Sequence, residues 1–273
     1  MTLQITSDKQ REYKDPDEVA EALNKRYELE QKRDALKSKL KTENPKQTPE
    51  NNTNLKSKIQ SIGDFWRIEN VPYRNGSCTA DLSKSLLDNG NAKTQDAWAQ
   101  YSKQAKQNKS FYVGDMPLYH AIFTALYQQK NKPESEEARQ FIQKQMREKW
   151  LTTLTRIIYQ PTGKDKIIHN YSMDNQYEKN ENIVGPDRFI EKADSNALGA
   201  LLGTNNIDEI KAVYNWINKT DTNIWRFNEK PDSIEERVAC FDAVSGWAYL
   251  YCSWDPTATN SGLGVRIITG EPN

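Results

Sequence analysis

From Trp247 to Asp255 the chain alternates without a break. Ala248, Leu250, Cys252 and Trp254 are the small or apolar set, and Trp247, Tyr249, Tyr251, Ser253 and Asp255 are the other. A period of two puts the sets on opposite faces of a strand. The first set is therefore expected to face a core. The second joins aromatic, hydroxyl and acidic groups, the composition of a binding surface. An ordinary half-buried strand with two Tyr and a Trp on its outer face would read the same way.

The flanking segments supply neighbours for this strand. Glu236–Phe241 and Leu263–Ile268 read as strands, and so does Asp221–Phe227 before the Lys230-Pro-Asp-Ser233 turn. Trp150–Tyr159 is rich in β-branched and aromatic residues. With the Pro161-Thr-Gly163 turn and Lys166–Tyr171 it predicts a β-hairpin. Residues 174–186 read as a charged loop. Helices are expected at Met116–Tyr127, begun by Asp115 and Pro117, and from Pro133, with Ser135 as N-cap. Two more are expected at Asn196–Leu202, closed by Gly203, and Ile207–Ile217.

The first part of the chain reads as helical. Asp15-Pro16-Asp17-Glu18 opens a charged helix to about Lys41 with a thin apolar stripe. Residues 42–54 form a loop. Leu55, Ile59, Ile62, Phe65 and Trp66 suggest a second helix antiparallel to the first. Leu82, Leu86 and Leu87, then Trp98 and Tyr101, suggest further helices joined by Asn/Gly turns. The expected architecture is α+β. A helical region over 1–110, packing on or assembling the rest, precedes a main domain over 111–273.

Composition removes several function classes. Formal net charge is +0 with a pI near 6.8, so no general attraction to nucleic acid or anionic lipid is expected. No apolar run approaches the ~20 residues of a membrane span, and the start lacks a signal-peptide core. Cys78, Cys240 and Cys252 are too few for a disulfide framework. The chain is expected to be reduced and intracellular, or to reach a virion or cell surface by an indirect route. With only His120 and His169, no metal centre is expected, and no cofactor. His120, alone on an apolar helix, is expected to be a packed residue. Gly262-Leu-Gly264 precedes a strand, the wrong context for a phosphate loop.

Arg237-Val-Ala, Ser245-Gly246, the Ala-x-Leu-x-Cys-x-Trp alternation ending at Trp254, and the closing Leu263-Gly-Val-Arg-Ile carry a resemblance. Over about 237–268 the chain resembles the variable proteins of diversity-generating retroelements, most of all archaeal members. It resembles them more loosely over 150–236. The resemblance implies a C-type lectin fold, related to that of formylglycine-generating enzymes. In that family reverse transcription randomises adenines, mostly in AAY codons, from which Lys, Glu, Gln, Met and Trp are out of reach. Between Val238 and Val265 there is no Lys, Glu, Gln or Met. A buried sheet would show the same depletion. Trp247 cannot arise from AAY and is expected to be a fixed platform or to have another codon origin.

The resemblance implies a rigid scaffold with exchangeable side chains over about 238–262. The expected ligand-binding positions are Asp242, Ala243, Val244, Trp247, Tyr249, Tyr251, Ser253, Asp255, Ala258, Asn260 and Gly262. The expected partner is a macromolecule, a protein or cell-surface target, with no nucleic acid and no membrane insertion. Oligomers would form through the N-terminal helices. Two alternatives stay open: a formylglycine-generating-enzyme-like oxidoreductase using Cys240 and Cys252, and a structural virion protein. Calcium-dependent sugar binding would have Asp242, Asp255 and Asn260 for ligands, without a paired-carboxylate run.

Overall fold

The β-branched run after Trp150 forms the hub of the fold. In the computed structural model, which describes residues 57–244 and 246–270, this strand, β5 (Leu151–Tyr159), has three strand neighbours. The described chain runs β1 (Lys58–Ile62), β2 (Phe65–Tyr73), β3 (Gly76–Leu86), α1 (Gln95–Gln107), β4 (Tyr112–Val113), α2 (Met116–Gln128) and α3 (Pro133–Glu148) before it. After it come β6 (Asp165–His169), β7 (Tyr177–Glu181), β8 (Arg188–Phe189), α4 (Ser195–Leu202), α5 (Ile207–Asn218) and β9 (Thr222–Trp225). The last three strands are β10 (Glu235–Val244), β11 (Trp247–Trp254) and β12 (Ser261–Thr269). The class is α+β, as expected.

All twelve strands join one sheet, with the main path β1-β2-β3-β12-β5-β10-β11-β9-β8. β4 adds to β12, and β6 and β7 extend from β5. β12 is the joint: it runs antiparallel to β3 and parallel to β5. Residues 54–273 form one compact unit.

The helices start where side chains can satisfy free backbone N–H groups. Asp115 accepts from Leu118 N at 2.9 Å and Thr94 from Ala97 N at 3.3 Å. Asn206 accepts from Glu209 N at 3.3 Å, and Gly203 closes α4 at φ +80°. Ser135 does not cap α3. The cap position is Lys132, and Ser135 Oγ instead donates to Leu126 O at 2.6 Å, tying α3 to α2. α2 is buried along its length and packs Phe123 against Phe241 of β10 and Tyr214 of α5.

Two readings of the first third need correction. The described part of the helix expected around Leu55–Trp66 is the β1–β2 hairpin, and that expected around Leu82 and Leu86 is β3. Gly63 at φ +53° makes the hairpin turn. Trp66 and Ile68, and Cys78, Ala80 and Leu82, are buried at a period of two, the strand period. Leu86 and Leu87 fall at the strand's end, where Asp88 and Asn89 take positive φ. The described part of residues 1–110 is thus mainly sheet, continuous with the rest through β3 and β12. α1 is where Trp98 and Tyr101 placed a helix. β7 lies in the segment read as a loop. The charged helix expected over 15–41, the loop 42–54 and Ser245 lie outside the described residues. Among the described residues, no helix is long and apolar enough to cross a membrane.

An aromatic face on β9, β10 and β11

The alternation of β11 is seen in its burial. Ala248, Leu250 and Cys252 are buried, whereas Trp247, Tyr249, Tyr251 and Ser253 are half-buried. Residues paired across strands share a face. Asp242 pairs with Tyr249, Cys240 with Tyr251 and Val244 with Trp247. On the other side β9 runs parallel, bringing Asn223 beside Tyr249 and Trp225 beside Tyr251. This face therefore carries rings from β9 and β11. Tyr249 and Tyr251 lie 5.4 Å apart, and Trp225 lies 5.8 Å from Tyr251 and 6.1 Å from Tyr249. Trp150 stacks on Tyr251 at 5.0 Å, and Phe189 on Trp247 at 5.8 Å.

Trp254 departs from the expectation that it is core. It is half-buried and lies 3.8 Å from Trp150 and 6.1 Å from Tyr251. The cause is a β-bulge. Val238 pairs with Trp254 and Cys240 with Tyr251, so two steps of β10 meet three of β11. One extra residue in a strand switches the positions beyond it to the opposite face. Trp254 is thereby returned to the aromatic side.

The eleven expected binding positions divide. Val244 is 47% exposed, Trp247, Tyr249, Tyr251 and Ser253 are half-buried on β11, and Ala258 is half-buried in the loop. Asp242 points to the same face but is only 4% exposed, ringed by its neighbours. Asp255 is exposed, yet it accepts from both Thr257 N and Thr257 Oγ1 at 2.7 Å and so builds its own turn. Ala243, Asn260 and Gly262 are buried, which corrects their place among displayed positions. Asn260 O accepts from Trp98 Nε1 at 2.7 Å and from Lys93 N at 2.9 Å. With its amide oxygen turned toward the ring, its side chain accepts from Trp254 Nε1 at 2.6 Å. A Cβ on Gly262 would meet Val113 Cγ2 at 2.8 Å and the Trp98 ring at 3.2 Å. That glycine is required by close packing.

Two acids border the face, Asp242 buried and Asp187 half-buried. Burial pushes the Asp242 carboxyl up to about 6, against a lowering by the Ala243 backbone N–H. Burial also raises Asp187, although it accepts from Arg226 N at 2.7 Å. Next to Trp225 in sequence, Arg226 Nη2 donates to buried Asp194 at 2.5 Å, and Arg188 Nη2 donates to the same oxygen at 3.3 Å.

Cys240 and Cys252 are free and fully buried. Burial raises both thiols, Cys252 to about 12, away from the reactive thiolate. His120 is buried against Tyr214 at 5.6 Å and lowered to about 4 by burial. His169 is held between Thr155 Oγ1 at 3.0 Å and Ala200 O at 2.9 Å. No group of three or more metal-binding side chains occurs among the described residues.

Trp150, Trp225, Asn223 and Asp187 belong to the face but were not foreseen. Trp225 ends a strand that was read correctly, so its aromatic ring next to a predicted strand was the available signal. Nothing local places Trp150 or Asp187 beside β11; both arrive through pairing distant in sequence.

No family model matches the chain, and neither does any curated protein or solved structure.

Proposed function

We propose that this chain is a ligand-binding protein whose aromatic β9–β10–β11 face receives a macromolecular partner, a protein or cell-surface target. The observation that carries the reading is the division of β11 into a buried set and a half-exposed aromatic set. Rings offer large contact area at low entropy cost. The buried set can stay constant while the other changes, because alternate positions do not share packing.

The resemblance over 237–268 extends this to a variable protein of a diversity-generating retroelement with a C-type lectin fold. The absence of Lys, Glu, Gln and Met between Val238 and Val265 supports it. In this reading Val244, Trp247, Tyr249, Tyr251, Ser253 and Ala258 are the displayed positions, and the chain binds rather than catalyses. Oligomerisation through the charged helix expected over 15–41 would complete a display protein.

The decisive observation is genomic. A near-copy of the coding segment for 237–268 beside a reverse transcriptase, differing only at adenines, is expected; its absence removes the retroelement reading. For binding itself, alanine at Tyr249 or Tyr251 should weaken a proven partner by about 1–3 kcal/mol each. Unchanged affinity for both variants would mean that the site lies elsewhere.

A further inference from the structure

Among the described residues, Asp242 is an acid without a counter-ion. It is 4% exposed, and among the described residues no Lys or Arg lies within ion-pair distance of it. Of the four other buried carboxylates, Asp81 has Arg67 and Arg266, Asp165 has Lys230, and Asp194 has Arg188 and Arg226, while Asp115 accepts from Leu118 N and Tyr73 Oη. An unpaired buried charge is costly, and a ligand that supplies the opposite charge recovers that cost.

The surroundings suit a cation. Asp242 lies beside Tyr249, and the rings of Tyr251 and Trp225 follow within 6.1 Å of Tyr249. Ring faces attract cations, most strongly when water is excluded. No Lys or Arg occurs from Val238 to Val265, so this segment supplies no competing cation. Across Tyr249 from Asp242, Asn223 keeps a buried Nδ2 donor without a partner. That donor fits a backbone carbonyl next to the incoming side chain.

We propose that this face takes a lysine or arginine side chain of a protein partner, with Asp242 as counter-ion and the rings of Tyr249, Tyr251 and Trp225 as walls. The proposal rests on the binding reading above and names its ligand chemistry. A hydroxyl-rich sugar is the competing occupant, since a carboxylate and an amide also suit hydroxyls. It would leave the carboxylate charge uncompensated.

The test uses the 15N-labelled full chain, following tryptophan indole N–H resonances. The probes are capped Gly-Arg-Gly and Gly-Lys-Gly peptides, the citrulline isostere of the arginine peptide, and methyl β-glucoside. The basic peptides should shift the indoles saturably and bind about tenfold or more tightly than the citrulline peptide. Asp242→Asn, checked for an unchanged fold by circular dichroism, should abolish that preference. Four results overturn the proposal: equal response to arginine and citrulline, a preference that survives in Asp242→Asn, saturable binding of the glucoside in place of the basic peptides, or no response to any probe. Each of these leaves the binding reading to its own test, alanine at Tyr249 and Tyr251 against a proven partner.

Discussion

At the scale of single residues, two positions have opposite characters although both lay within the segment expected to vary. Gly262 is fixed by space. Gly262→Ala drives a methyl group into Val113 and Trp98, and overpacking of this kind costs about 1–3 kcal/mol. The urea midpoint should fall with the m-value unchanged. Asp242 is governed by hydration. Its carboxyl rises from 3.8 to about 6 on folding because burial disfavours the anion. Between those values the folded chain holds a proton that the unfolded chain has released. Stability from this group is therefore greatest below the lower value and is lost as pH rises through the higher one. Denaturation of the wild type and Asp242→Asn across that range should show it: the wild type loses stability relative to the variant as pH rises. The comparison cancels Asp115, which burial also raises to about 6. A parallel pH dependence in the two proteins would mean that Asp242 stays hydrated.

At the scale of elements, β11 predicts unequal tolerance. Leu250 is fully buried opposite Phe241, and Leu250→Ala should cost about 2–5 kcal/mol. Tyr249→Ser should cost about 0.5–1.5 kcal/mol, the scale of lost ring pairs. Chemical denaturation of both variants checks this, and similar losses would contradict a two-faced strand. Elements with local signals were legible in advance. α2 has Asp115 and Pro117 at its start, α4 has Gly203 at its end, and β5–β6 has its turn. β1–β3 were not legible, because Ile59, Ile62, Phe65 and Trp66 also fit a helical spacing. Their strand state is decided by pairing: β1 and β2 pair with their neighbours in sequence, and β3 also pairs with β12, about 180 residues away. The β11 bulge was hidden for a related reason. Its extra residue is defined only against β10, so alternation alone put Trp254 on the wrong side. Of the site, the β11 rings and Asp242 could be read from the strand pattern, whereas Trp150, Asn223 and Asp187 depended on tertiary pairing.

At the scale of the molecule, the division expected near residue 110 cuts through a continuous sheet and core. A fragment of 111–273 would lose β1–β3, leaving β12 with β4 and β5 but without β3, and α2 without the cover of β2. It should be insoluble or unfolded, while a 54–273 fragment should give a cooperative unfolding transition. Expression of both, followed by circular dichroism and thermal melts, tests this. A folded 111–273 fragment would show that β1–β3 are an accessory layer.

The position of the β10–β11 hairpin has a further consequence. β10 is paired with β5 over Glu235–Phe241 and β11 with β9 over Ala248–Tyr251, so the central part of each strand is paired on both sides. Side chains on their outer face can change identity without offering unpaired backbone to another molecule. Open strand edges are the usual route to fibre growth, and along the central part of both strands they are closed whatever the face displays. A collection of such proteins differing at Tyr249, Tyr251 and Ser253 would therefore share one solubility while differing in what they hold. An aromatic-rich member should resist aggregation about as well as a polar one.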